Sequence, residues 1–197
     1  FEIASLDRFT FPRPGMPLQA TADPGQPLRV EIIHPAVDLK HFFGGFIAVF
    51  NLARRLGEGG HRVRIVTLEP VDLPDDWRRQ VAAYQGIGDS VGDLEVIDGS
   101  DRAVPVAMNP DDRLIATHWT AAHIASAAAA ELDQESFTYL IQEYEPLIFP
   151  MGSAAALALA TTPVSAKPEP PLVNEELVVT QVDASGLPQE ATLYSRL

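Results

Sequence analysis

The sequence predicts an α/β fold: a mostly parallel sheet with helices on both faces, followed by a β-hairpin-like tail. Three observations predict it. Short β-branched apolar runs alternate with segments of helical spacing through the middle of the chain. The first strand–helix–strand unit is punctuated by glycines, and crossovers of that kind join parallel strands. Of the 197 residues, 46% are hydrophobic and 21% charged, which is enough apolar material for one ordinary core.

Residues 1–27 read as a proline-rich arm or linker. Pro12, Pro14, Pro17, Pro24 and Pro27 each remove a backbone donor and fix φ, which suits extended chain. The domain proper is expected over residues 28–160. Arg29 to Ile33 is a short apolar strand, and His34 to Gly45 is a loop. Phe46, Val49, Phe50, Ala53 and Leu56 recur at helical spacing, and Gly57, Gly59 and Gly60 end that helix. Arg62 to Thr67 is the next strand. Asp75 to Tyr84 is a short helix with acidic residues at its positive end. Leu94 to Ile97 and Arg113 to Thr117 are strands, Thr120 to Leu132 is an alanine-rich helix, Phe137 to Gln142 a strand, and Gly152 to Ala160 a helix. Residues 161–197 are a proline-rich linker and a tail, in which Leu177–Val182 and Ala191–Tyr194 flank a turn.

Composition excludes several function classes. Lys and Arg total 14 against 27 Asp and Glu, a net charge of -13, so no basic surface is available for nucleic acid. The absence of cysteine removes disulfides, thiol catalysis and cysteine-ligated metals. His118 and His123 are five apart and do not share a helix face, so no metal site is expected, and no cofactor. No apolar run is long enough for a membrane span. The chain opens at Phe1 without a methionine, which reads as a fragment or processed product.

Ligands of open α/β sheets bind beyond the carboxyl ends of the strands. Four segments fall there. His34 and the Gly44–Gly45 pair precede a helix, whose free N–H groups suit an anion such as a diphosphate. His118, Trp119 and Thr120 follow a strand: a base or donor, a stacking ring, and a hydroxyl that would equally serve as a helix cap. Gln142, Glu143, Tyr144 and Glu145 end another strand and suit sugar hydroxyls or proton transfer. Gly152 and Ser153 open a helix. Asp38 and His41 lie in the first loop, within reach of the same crevice. A dinucleotide reading needs G-x-G-x-x-G in the first turn, and only Gly44–Gly45 and a strand-end acid, Glu69, match it. Neither G-x-x-x-x-G-K-[ST] nor G-x-S-x-G occurs.

The run from Phe43 to Thr67, with Gly44–Gly45, Leu52-Ala-Arg-Arg-Leu56 and Gly60–His61, resembles the opening unit of GT-B glycosyltransferases of the family 4 type. Ile115-Ala-Thr-His-Trp-Thr-Ala121, Tyr139-Leu-Ile-Gln-Glu-Tyr-Glu-Pro146 and Phe149-Pro-Met-Gly-Ser153 are similar to bacterial rhamnosyltransferases of the WsaF type. The resemblance covers about Arg29 to Ala160. It implies a Rossmann-like domain that holds the acceptor, with Gly44, Gly45, His118–Thr120 and Gln142–Glu145 facing the donor. It implies a cytoplasmic enzyme that transfers a deoxyhexose, rhamnose, from a nucleotide-sugar such as dTDP-rhamnose to a glycan. Glu143, His118 and Glu145 are then the catalytic candidates, and the choice of base among them stays open. His34, Gly44, Gly45, Trp119, Thr120, Gln142 and Tyr144 are the substrate-binding candidates. The donor-binding second domain of such an enzyme is missing from these residues, so the isolated chain is expected not to turn over. The alternative is a non-catalytic binding or interaction module derived from such an enzyme.

Overall fold

The computed structural model describes residues 16–42, 44–84, 87, 91–141, 145, 148, 150, 152–161, 176–183 and 188–195. Its strands are β1 (Ala20–Ala22), β2 (Val30–His34), β3 (Val63–Thr67), β4 (Glu95–Asp98), β5 (Val106–Met108), β6 (Arg113–Ala116), β7 (Ser136–Ile141), β8 (Glu176–Asp183) and β9 (Pro188–Ser195). The helices are α1 (Gly44–Glu58), α2 (Trp77–Ala82), α3 (Trp119–Glu131) and α4 (Ser153–Ala160), with a 3-10 turn at Leu39–His41. The main sheet has the order β4-β3-β2-β6-β7-β8-β9. Its first five strands pair in parallel. The β8–β9 ribbon is antiparallel and joins β7 antiparallel, so the tail extends the sheet. This is the α/β architecture that the alternation of strands and helices predicted, and it is Rossmann-like.

Strand β2 shows why the sheet is covered on both faces. All five of its residues are buried, and successive side chains point to opposite sides. Val30 and Ile32 pack with Val49, Phe50, Ala53 and Trp77 of α1 and α2. Ile33 packs with Leu114, Ala122, Ala125 and Phe137 on the α3 side. Helix α1 therefore needs one apolar stripe. Helix α3 lies deeper, which is why its run of alanines can be buried on several sides. Both long helices end by the same device. His61 N–H donates back to Leu56 and Gly60 N–H to Gly57, with Gly60 at φ 87°. Gln134 and Asp133 repeat the pattern on Ala129 and Ala130, with Asp133 at φ 56° in the position that glycine usually takes.

One feature differs from the sequence expectation. Part of the proline-rich arm belongs to the domain: Leu18 and Ala20 are buried in the core, and β1 pairs in parallel with β5 as a separate two-stranded sheet. That small sheet covers the α3-side face of β2 and β3, where two charged residues lie inside. Glu31 is fully buried, and Arg64, its register partner on β3, is 7% exposed. Arg64 holds the Glu31 carboxylate at 2.8 Å through Nε and at 2.7 Å through a terminal nitrogen. It also donates to the carbonyl of Ala107 on β5. Asp112, likewise fully buried, accepts the N–H groups of Arg29 and Asn109. Burial pushes the Glu31 carboxyl up to about 7, against the pull of Arg64 and with Asp112 adding to the rise.

Candidate functional site

Strand order locates the crevice. The chain leaves β2 toward β3 on one side, and β6 flanks β2 on the other. The sheet therefore changes winding direction between β2 and β6, and the gap beyond their carboxyl ends is the usual ligand position in such sheets. The register pairs Ile33 with Ala116, so the next residues, His34 and Thr117, meet at that gap. His34 Nδ1 lies 2.6 Å from Thr117 Oγ1, which in turn donates to the Ile33 carbonyl at 3.3 Å. The His34 ring sits edge-on to Phe46, with centroids 5.5 Å apart. Phe46 is in the first turn of α1, so this contact places the Gly44–Gly45 helix start beside His34. A Cβ built on Gly44 would meet nothing within 4 Å, and no acidic residue occupies the first turn of α1.

On the other side of the gap, α3 begins. His118 is its N-cap, with Nδ1 accepting the Thr120 N–H at 3.3 Å and lying 2.8 Å from Thr120 Oγ1. The sequence offered Thr120 as the cap. The imidazole takes that place because it already precedes the first helical residue, Trp119, in an extended conformation. Trp119 is buried, and its ring lies against His118 and His123. Glu145, only 6% exposed, ties the helix start to β7. Its Oε2 accepts from the Tyr139 hydroxyl at 2.7 Å and from the Trp119 N–H at 2.8 Å, while Oε1 lies 3.6 Å from His118 Nε2. Burial and this carboxylate hold the Tyr139 hydroxyl well above its usual pKa.

His34, Gly44, Gly45, His118, Thr120 and Glu145 are thus gathered around one end of the parallel sheet. Gln142, Glu143 and Tyr144 lie outside the described residues. Asp38 caps the 3-10 turn by accepting the Lys40 N–H. Two participants were not singled out from sequence, Thr117 and Tyr139. The available signals were their position at or near a strand end and their place inside the two family-like motifs. A cavity of about 430 Å³, lined by Arg54, Gly57, His61 and Asp93 among others, lies at the opposite end, where β3 and β4 begin. It shares no residue with the crevice. Among the described residues no cluster of three His, Asp or Glu could hold a metal ion, and no helix is long and apolar enough to cross a membrane.

Electrostatically the crevice holds two neutral imidazoles. Burial pushes His34 down to about 4, with the nearby His118 adding to the drop, and burial alone takes His118 to about 4. An unfolded histidine binds its proton near 6.5, so acidification below that favours the unfolded chain until the folded imidazoles titrate. Glu31 acts in the opposite sense. Its raised pKa contributes stability that is complete below 4.5 and is lost as pH rises toward 7. Between pH 4.5 and 6.5, these groups leave the unfolded state with about one extra proton, two from the histidines less one from Glu31. Stability from denaturant titrations should therefore fall on acidification across that window, and His34→Asn should flatten the slope. Stability that rises on acidification in the unaltered chain would contradict these titrations.

No curated protein matches the chain. The family model described as WsaF, N-terminal domain, matches residues 29–175, which include β2 to β7, all four helices and every described residue of the crevice. That match spans well over half of the 197 residues and runs past Ala160, so the chain belongs to the family of WsaF N-terminal domains.

Proposed function

We propose that this domain is the acceptor-side half of a glycosyltransferase that moves a deoxyhexose, rhamnose, from a nucleotide-sugar such as dTDP-rhamnose to a glycan hydroxyl. Family membership makes the chain a glycosyltransferase-related module, whose partners in general are a sugar donor and a sugar acceptor. The observation that carries the finer reading is the meeting of His34, Thr117 and His118 at the switch point, beside the open start of α1. Sugar transfer needs two things there. The acceptor hydroxyl must be held for attack on the anomeric carbon, and the departing diphosphate must have its charge met as the glycosidic bond to it breaks. Neutral imidazoles and a threonine hydroxyl suit the first need. The N–H groups at the start of α1, at Gly44 and Gly45, suit the second. Glu145 already serves Tyr139 and the α3 start, so its role in this reading is to hold His118 in place, and proton transfer falls to His118 or Glu143.

Gly45 tests the diphosphate half. It lies in the first turn of α1, where a side chain would stand close to an anion held by the helix N–H groups. Gly45→Val should weaken dTDP-rhamnose binding to the chain by about tenfold or more, measured by calorimetry, with the circular dichroism unchanged. Equal affinities would remove α1 from the donor site.

A further inference from the structure

Thr117 has a single proton and two contacts. One partner, the Ile33 carbonyl, only accepts; the other, His34 Nδ1, either donates or accepts. Suppose the hydroxyl donates to Nδ1. Then its oxygen faces the Ile33 oxygen at 3.3 Å with no proton between them. Suppose instead that it donates to Ile33. Then its lone pairs face Nδ1 at 2.6 Å, Nδ1 carries the imidazole proton, and both contacts are satisfied. Only the second arrangement satisfies both of these contacts. It leaves the lone pair on Nε2, across the ring from Thr117, where no partner is present among the described residues.

Resting on the sugar-transfer reading above, we propose that His34 Nε2 accepts and orients a sugar hydroxyl in the crevice, and that Thr117 is the positioning residue that fixes the required tautomer. The ligand must then present an O–H donor at this point, and a ligand with an ether or carbonyl oxygen there is refused. The buried imidazole stays neutral at physiological pH, so the lone pair is available there and the ring orients the hydroxyl without storing its proton. The edge of Phe46 against the ring helps to hold its plane.

The tautomer is read directly from imidazole nitrogen chemical shifts of the full chain at neutral pH. We expect an unprotonated Nε2 and a protonated Nδ1 on His34. Thr117→Val, nearly isosteric, should shift the population toward a protonated Nε2, and Thr117→Ser should restore it. In parallel, Thr117→Val should weaken binding of methyl rhamnoside by about tenfold, and Thr117→Ser should recover most of that loss. A protonated Nε2 in the unaltered chain overturns the proposal alone. So does a Thr117→Val chain that binds the rhamnoside as tightly as the unaltered one. The expected tautomer with no rhamnoside binding at all overturns the sugar reading, and the hydroxyl ligand with it.

Discussion

Replacing Arg64 by methionine should destabilise the fold by about 3–5 kcal/mol, the usual result of removing one partner from a buried charge pair. Glu31 is fully buried, and both of its oxygens lie within 2.8 Å of the Arg64 guanidinium. Asp112 is fully buried close by. Without Arg64, two carboxylates share a dry interior with no cation between them, and the Ala107 carbonyl loses its side-chain donor. The Glu31 carboxyl should then titrate higher still, so the loss should be largest above pH 7 and smaller near pH 5. Urea titrations at both pH values measure this through the midpoint. The double change Glu31→Leu with Arg64→Met removes both charges and should recover most of the loss, since apolar packing replaces such pairs at little net cost. A single Arg64→Met chain within about 1 kcal/mol of the unaltered one would mean that water reaches these carboxylates.

Glu145→Ala should cost about 2–4 kcal/mol. Its Oε2 serves two buried donors: the hydroxyl of Tyr139, itself 1% exposed, and the first N–H of α3. Losing the carboxylate takes this acceptor from both, leaving the Tyr139 hydroxyl beside that of Thr161, and it also removes the anion from the positive end of the helix. Glu145→Gln keeps an acceptor oxygen and should cost roughly half as much. Tyr139→Phe in the Glu145→Ala background removes one of the two donors that lost this acceptor, so the double variant should be more stable than Glu145→Ala alone. Thermal melts of the four chains give the coupling. A Glu145→Ala chain as stable as the original would place Glu145 in solvent and free it for chemistry.

The elements with a strong local period were legible in the sequence. Helix α1 shows its apolar stripe and its glycine stop, and β2 and β3 are short β-branched runs, so strand, helix and strand could be read without a partner in view. Strands β1 and β5 could not. Each has three residues, one in a proline-rich stretch, and they exist because they pair with each other across the fold. The buried Glu31–Arg64 pair was not legible for the same reason. Alternating charge in a strand reads as a solvent face, and here the β1–β5 layer covers it. In the crevice, strand-end position pointed to His34 and His118. Thr117 needed the register of β2 against β6, and Tyr139 needed the return of the chain at Glu145. Those relations follow from strand order, which no local pattern encodes.

Amide chemical-shift mapping of the isotope-labelled chain, titrated with dTDP-rhamnose and separately with methyl rhamnoside, tests the crevice most directly. Saturable shifts should centre on His34, Gly44, Gly45, Phe46, Thr117 and His118, with the nucleotide-sugar acting more on the α1 start and the rhamnoside more on the histidines. Shifts centred on Arg54, Gly57, His61 and Asp93, at the other end of the sheet, would contradict the assignment of the site; no saturable shift with either ligand would contradict the sugar-binding role itself.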